Sequence, residues 1–206
     1  MGNIRKEVAI WIQLGSFICV WLLLLLPSGS HIQIGWETLR RFPEAVMIYS
    51  AGHLLFTARA WRWKVFQGWL VPFPDLQGTW AGTIQTTWKD SATELTPAPI
   101  PVLLVIRQSF ASVHCVMYSK ESTSSSTAAQ IIGEEGSGQS QLCFIYSNRP
   151  LASVRDRSQM HEGAVILKMV TKPKRVLEGQ YWTDRRTTGD FQVLFKSKNL
   201  MDRFSM

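Results

Sequence analysis

The most constraining feature of the sequence is an uncharged apolar run from Val8 to Leu26, which Pro27 closes. As a helix, its nineteen residues would span about 28 Å at roughly 1.5 Å per residue, close to the ~30 Å hydrocarbon core of a bilayer. Because Trp, Leu, Ile and Phe lie on every side of such a helix, one face would meet water in a soluble protein. The run therefore predicts a membrane helix at about 8–26. A cleaved signal peptide, suggested by the preceding Arg5 and Lys6, is the alternative, but its apolar core would be shorter.

A second apolar segment follows a short polar link. Pro43 and Glu44 are typical of a helix start, because proline fits the first turn and an acid there interacts favourably with the helix dipole. Residues 45–58 carry no charge. Basic and aromatic residues suited to a headgroup region come next: Arg59, Trp61, Arg62, Trp63, Lys64 and Trp69. We therefore predict a second membrane helix at about 44–65, with a core helix that has a basic end as the alternative.

The distribution of charge predicts which side of the membrane each part occupies. Residues 1–71 carry seven Lys or Arg against three acidic residues. Five of the seven lie at the outer ends of the two predicted helices (Arg5, Lys6, Arg59, Arg62 and Lys64), and the link between the helices has a smaller net positive charge. The positive-inside rule then places the N-terminus and everything after the second helix in the cytoplasm. Cys19, Cys115 and Cys143 have no disulfide-framework spacing, which fits a reducing compartment.

Four residues within the predicted helices are candidates for helix packing. Ser50 and Gly52 belong to a small-residue patch where two backbones can approach closely. His53 is the ionisable residue deep in the second segment, and Gln13 lies at a comparable depth in the first. A hydrogen bond from His53 to Gln13 or Ser50 that fixes helix packing is favoured over a proton or ion role.

From residue 76 onward the pattern changes to short alternating strands, after a linker predicted at 68–75. The predicted domains are thus a two-helix membrane region at 1–67 and a β-domain at 76–206. Eight runs separated by turn residues predict strands at Leu76–Trp88, Ile100–Phe110, Ala111–Lys120, Ser125–Glu134, Ser140–Arg149, Gly163–Val170, Val176–Arg185 and Phe191–Lys198. We predict a membrane-anchored all-β protein, with two N-terminal transmembrane helices and an eight-stranded up-and-down antiparallel β-barrel, which leaves no exposed sheet edge. A seven- or eight-stranded sandwich is the alternative.

Alternation along the strands selects the residues that face inward. One face of the seventh strand carries Tyr181, Thr183 and Arg185, and an eight-stranded barrel can enclose one small ligand. Guanidinium groups pair with phosphates and aromatic rings stack on bases, so a nucleotide suits this lining better than a fatty acid. Residues 149–186 also hold nine Lys or Arg against four acidic residues. The predicted ligand-binding residues are Tyr146, Asn148, Arg149, Tyr181, Thr183 and Arg185, together with Thr83 or Thr86.

Catalysis and metal binding have little support in the sequence. His114 and Cys115 are neighbours on a strand and point to opposite faces, so they cannot form a nucleophile–base pair. Residues 122–126 read as a polar loop, and neither a CxxC motif nor a phosphate-binding glycine loop is present. We therefore predict a non-enzyme without cofactor or metal. The near balance of charge after residue 71 argues against a DNA or RNA partner.

The layout and two motifs, LQGTWAG at 76–82 and LEGQYWTDRRTTGDF at 177–191, carry a family resemblance. The chain resembles the bacterial anti-phage (CBASS) effectors described as two-transmembrane and β-strand-rich, which are associated with cGAS-like nucleotidyltransferases. The resemblance implies that the barrel binds a cyclic dinucleotide made by that partner enzyme. It further implies homo-oligomerisation of the helices in the bacterial inner membrane, membrane disruption through contact with its lipids, and abortive infection. The alternatives are a membrane-anchored lipocalin-like barrel that binds a lipid, and a periplasmic accessory domain, which the charge asymmetry disfavours.

Overall fold

The computed structural model describes residues 6–25, 36–90, 93–133, 139–170 and 173–204. The chain divides into two compact units, of which the first ends at Pro72 and the second begins at Phe73. This division falls within the 68–75 segment that the sequence assigns to a linker.

The described residues of the N-terminal unit form the helices α1 (Lys6–Leu25), α2 (Trp36–Arg40) and α3 (Phe42–Ala58). The predicted second helix extends too far, because α3 ends at Ala58 and not near residue 65. The backbone leaves the helical region at Arg59, the first charged residue after the apolar segment, with φ −141° and ψ −46°. Short 3₁₀ turns follow at Ala60–Arg62 and Lys64–Phe66. No helix in the described part of the chain is both long and apolar enough to cross a membrane, so the two predicted spans are not confirmed.

Aromatic side chains join α1 to α3. The ring of Phe17 meets the rings of Phe42 and Tyr49 edge to face, with both centroid distances 5.6 Å. Trp21, one turn further along α1, meets Phe42 in the same geometry at 5.5 Å. Such edge-to-face pairs add about 0.5–1.5 kcal/mol each to the burial of apolar surface. The contact between the two helices is therefore made by large rings.

The four residues predicted for helix packing have a different arrangement from the expected one. The ring of His53 stacks on Tyr49, with the centroids 6.0 Å apart. Among the residues with described side chains, no hydrogen bond joins His53 to Gln13 or Ser50. A Cβ placed at Gly52 would meet nothing within 4 Å, so among the described residues no second backbone approaches α3 closely there.

Residues from Phe73 onward form a closed eight-stranded barrel in which consecutive strands pair antiparallel and β8 returns to pair with β1. The strands are β1 (Gly78–Thr86), β2 (Ile100–Gln108), β3 (Val113–Ser119), β4 (Ser122–Gly133), β5 (Ser140–Pro150), β6 (His161–Val170), β7 (Val176–Thr183) and β8 (Thr188–Ser197). The predicted up-and-down barrel is thus confirmed. The sandwich alternative is wrong, because a sandwich would leave β1 without its pairing to β8.

Inward-facing side chains fill most of the barrel. Trp80, Leu104, Leu142, Leu167 and Phe191 come from five different strands, and each is at most 1% exposed. Burial of each such side chain contributes about 1.5–3 kcal/mol. The middle of the barrel is therefore a packed core.

The barrel end at which β1 begins, called here the closed end, is sealed by side chains. Gln108 accepts a hydrogen bond from the Leu76 amide at 2.7 Å, and the Trp80 indole donates to the Leu76 carbonyl at 2.9 Å. The Arg175 guanidinium lies over the rings of Trp80 and Phe195, at 5.2 and 4.5 Å from their centroids. The opposite end, where β1, β3, β5 and β7 finish, has different chemistry and is called the polar end.

Candidate functional site

Buried polar side chains gather at the polar end. Five of them are each at most 9% exposed: Thr86, Ser124, Ser126, Asn148 and Thr183. They come from β1, β4, β5 and β7, which the barrel closure brings to one end. Burying a polar group is unfavourable unless it is hydrogen-bonded. Apolar side chains at these positions would therefore stabilise a packed core at least as well as this polar cluster does. The polar end is therefore the candidate functional site.

Two tyrosines form the floor of this site by lying against glycines on neighbouring strands. Tyr146 pairs across the sheet with Gly163, and Tyr181 pairs with Gly189. A Cβ at Gly163 would come within 2.5 Å of the Tyr146 hydroxyl, and one at Gly189 within 2.6 Å of the Tyr181 ring. The glycines are thus required for the two rings to lie against the barrel wall. Because both rings are buried, they are a floor and not exposed stacking platforms.

A chain of polar contacts crosses the floor from β4 to β6. Ser124 Oγ donates to Asn148 Oδ1 at 2.9 Å, and Asn148 Nδ2 lies 3.3 Å from His161 Nδ1. The same Nδ1 is 3.2 Å from the carbonyl oxygen of Gln159. The half-buried His161 ring meets Tyr146 edge to face at 6.3 Å. This histidine is therefore part of the site.

A tight turn after β7 carries the site's cation. The Thr183 and Thr187 hydroxyls are 2.6 Å apart, and the Thr183 amide donates to the Thr187 carbonyl at 3.0 Å. Arg186 adopts a left-handed conformation with φ 61°, which closes the turn. Arg185 is exposed at this turn and makes no ion pair with any carboxylate of the residues that the structure describes.

Burial and Arg185 together set the electrostatics of the site. Burial raises the pKa of Tyr146 and of Tyr181, which keeps both phenols neutral near pH 7, while the Arg185 guanidinium opposes that shift. Burial lowers the pKa of His161, and Arg185 lowers it further. The site therefore places the Arg185 guanidinium, which has no ion-pair partner among the described residues, beside a neutral polar floor. This arrangement is suited to binding an anion.

The structure brings together five of the six predicted ligand residues: Tyr146, Asn148, Tyr181, Thr183 and Arg185. Arg149 does not join them, because it is exposed on the opposite face of β5 from Asn148. Of the two threonine candidates, Thr86 lies buried at the site, where its hydroxyl accepts a hydrogen bond from the Trp88 amide at 3.1 Å, whereas Thr83 is exposed on the outer face of β1.

Sequence reasoning missed Ser124, Ser126 and His161. The predicted polar loop at 122–126 is wrong, because β4 begins at Ser122 and places Ser124 and Ser126 inside the barrel. β6 begins at His161, two residues before its predicted start at Gly163. Extending the same alternation by one inward position would have found the histidine.

A groove of about 690 Å³ also lies on the outer face of β6, β7, β8 and β1. Its charged lining consists of Lys168, Glu178 and Asp190, so carboxylates outnumber the cation. This balance disfavours an anionic ligand, and the polar end remains the better site for one.

Gly163→Ala should destabilise the barrel, because the new Cβ would lie 2.5 Å from the Tyr146 hydroxyl and 2.7 Å from the Trp182 carbonyl oxygen. Overpacking of this kind costs about 1–3 kcal/mol of unfolding free energy. Gly133→Ala is the matched control, because a Cβ there would meet nothing within 4 Å. Denaturant unfolding of both variants measures the difference, and equal stabilities would contradict the close packing of Tyr146 on Gly163.

Comparison with known proteins agrees with the predicted resemblance. A family model described as "Cap15, cyclic dinucleotide receptor domain" matches residues 71–194, which is more than half of the 206-residue chain. A curated relative, CD-NTase-associated protein 15 of Staphylococcus schleiferi, is 27% identical over 177 residues. That alignment covers 85% of this chain and 89% of the relative. The family match includes every residue of the polar end described above.

Proposed function

This chain belongs to the Cap15 cyclic dinucleotide receptor family of CBASS effectors, and on that premise we propose that its polar end is the ligand site. The observation that carries this proposal is the Arg185 guanidinium, which forms no ion pair within the described part of the chain and lies beside a neutral, buried polar floor. A cyclic dinucleotide presents two phosphodiester anions. A guanidinium binds such a group through charge-assisted, often bidentate hydrogen bonds.

The remaining chemistry of the site suits the sugars and bases of the ligand. Hydroxyl and amide groups of Thr86, Asn148 and Thr183 supply donors and acceptors close to the floor. Trp88 follows β1 at this end and is 47% exposed, so its indole is a flat surface on which a base can stack. The proposed role is recognition without chemistry, as a non-enzyme with no cofactor.

The packed interior supports this function over the lipid-carrier alternative. A lipid carrier of the lipocalin type needs an apolar cavity. The apolar part of this barrel is instead occupied by side chains such as Trp80, Leu104 and Phe191. The accessible inward-facing chemistry lies at the polar end and is suited to an anion.

We further propose that ligand binding drives homo-oligomerisation and disruption of the bacterial inner membrane by the N-terminal unit, with the barrel in the cytoplasm. Exposed apolar side chains support this step, including Leu22 and Leu23 of α1 and Met47, Leu54 and Leu55 of α3. Such groups are unfavourable in water and are stabilised by lipid or by another copy of the chain. The activating ligand would come from a partner cGAS-like nucleotidyltransferase. The staphylococcal relative is named as a CD-NTase-associated protein, which supports such a partner.

Titration calorimetry with cyclic di-AMP, cyclic di-GMP, cyclic GMP–AMP and cyclic di-UMP tests the receptor function. We expect at least one of them to bind with an affinity that falls as salt is raised, because a guanidinium–phosphate contact contributes. The linear dinucleotide pApA is the control for ring closure and should bind more weakly. Absence of binding by every cyclic dinucleotide would contradict the proposal.

A further inference from the structure

His161 stands at the end of a polar chain whose other members are buried. Ser124 and Asn148 are 2% and 4% exposed, so neither side chain has appreciable contact with bulk water. The ring of His161 is only half-buried, and its Nδ1 atom contacts both Asn148 Nδ2 and Gln159 O. Its other nitrogen, Nε2, has no hydrogen-bond partner among the described residues. Nε2 of His161, which has no partner among the described residues, is therefore a hydrogen-bonding group at the candidate ligand site.

Both protonation states of His161 are compatible with this network. In the neutral state Nδ1 accepts from Asn148 Nδ2 while Ser124 donates to Asn148 Oδ1. In the protonated state Nδ1–H donates to Gln159 O, 3.2 Å away, and to a reversed Asn148 amide. The reversed amide then donates to Ser124 Oγ, because a hydroxyl can either donate or accept. Neither state leaves the buried Asn148 amide without a hydrogen bond, so protonation of His161 does not incur the cost of an unsatisfied buried polar group.

The charges that face His161 come from the turn after β7 and from its own strand. Burial lowers the pKa of His161 and the hydrogen bond to the Gln159 carbonyl raises it, while Arg185 lowers it further and Asp184 raises it. The backbone amide of Glu162, the next residue on β6, donates a hydrogen bond to Asp184 Oδ2 in that turn at 3.2 Å. Tyr146 of β5, in ring contact with His161, is neutral because burial raises its pKa. A phosphate paired with Arg185 would offset the guanidinium and add negative charge beside the ring.

We propose that His161 is a ligand-binding residue that takes up a proton at Nδ1 when a cyclic dinucleotide binds, so that the ring becomes a cation whose Nε2–H donates to a phosphate oxygen. This inference rests on the proposed receptor function and extends it to the regulation of affinity by pH. The ligand-bound protein then holds more protons than the free protein between the two titration midpoints of His161. By linkage, affinity rises as the pH falls through that window, by at most about tenfold per pH unit. Between pH 8 and pH 6 we expect a gain of about three- to tenfold.

Calorimetry at pH 7 in PIPES, HEPES and Tris measures the proton count directly. The full-length protein in detergent is titrated with whichever of the four cyclic dinucleotides binds most tightly. The dependence of the observed enthalpy on the buffer's ionisation enthalpy gives the number of protons exchanged. We expect net uptake by the wild-type protein and none by His161→Gln. The control His114→Gln should keep the uptake, because His114 is exposed on the outer face of β3.

The outcomes separate the two proposals. Binding without proton exchange, or with proton release, would overturn the role of His161 and leave the receptor function standing. Undiminished uptake in His161→Gln would also overturn it. If no cyclic dinucleotide binds, the receptor function itself fails. Should His161→Gln not fold, the number of protons that the wild-type protein exchanges on binding still shows whether the proposed proton uptake occurs.

Discussion

Deletion of residues 1–72 should abolish killing of the bacterial cell while leaving cyclic dinucleotide affinity within a few fold. The reason is that all groups of the polar end belong to the unit that begins at Phe73, whereas the exposed apolar helices belong to the other unit. Growth of cells that co-express a cyclic dinucleotide synthase measures killing, and calorimetry on the purified fragment measures affinity.

The fragment 73–206 should be soluble without detergent and give a β-type circular dichroism spectrum, because it retains the whole barrel. Immunoblotting for equal protein levels is the control for the growth experiment. A truncated protein that still kills cells would contradict the membrane mechanism. A large loss of affinity would contradict the assignment of the ligand site to the barrel.

Arg185→Ala should weaken cyclic dinucleotide binding by roughly ten- to a hundredfold. The substitution removes a charge-assisted hydrogen-bonding group worth about 1.5–3 kcal/mol. Arg185 also lowers the pKa values of Tyr146, Tyr181 and His161, because its positive charge lies close to these residues of the site. Calorimetry at two salt concentrations measures the change.

Arg186→Ala is the matched control for this experiment. It removes the same charge from the same turn, and alanine also has a Cβ, so the strain at φ 61° is retained. We expect a loss of no more than a few fold. Equal losses from the two variants would mean that only the general charge of the turn matters, and that Arg185 does not contact the ligand.

The sequence predicts the barrel well because alternation with a period of two is a direct consequence of strand geometry. On β7, the predicted inward residues Leu177, Tyr181 and Thr183 are buried, and the intervening Glu178 and Trp182 are exposed. The same alternation correctly turns Tyr146 and Asn148 of β5 inward. It also places Arg149 on the outside of β5, away from the other predicted ligand-binding residues.

The parts that the sequence does not predict depend on contacts between distant residues. Serine is a common turn residue, so the start of β4 at Ser122 is determined by pairing with β3 and β5. Thr79 is fully buried because its hydroxyl donates to the Asn199 carbonyl at 2.6 Å and accepts from the Met201 amide at 3.1 Å. No local pattern near residue 79 indicates that the C-terminal segment folds back onto β1. The polar chain through Asn148 and His161 likewise appears only when β5 and β6 are paired.

A crystal structure of the 73–206 barrel with a bound cyclic dinucleotide would test directly whether the polar end is the ligand site. We expect that the ligand lies at the polar end, with a phosphate oxygen within hydrogen-bond distance of Arg185 and a base against Trp88. A ligand seated in the outer groove lined by Lys168, Glu178 and Asp190, or at the closed end near Gln108 and Arg175, would contradict it.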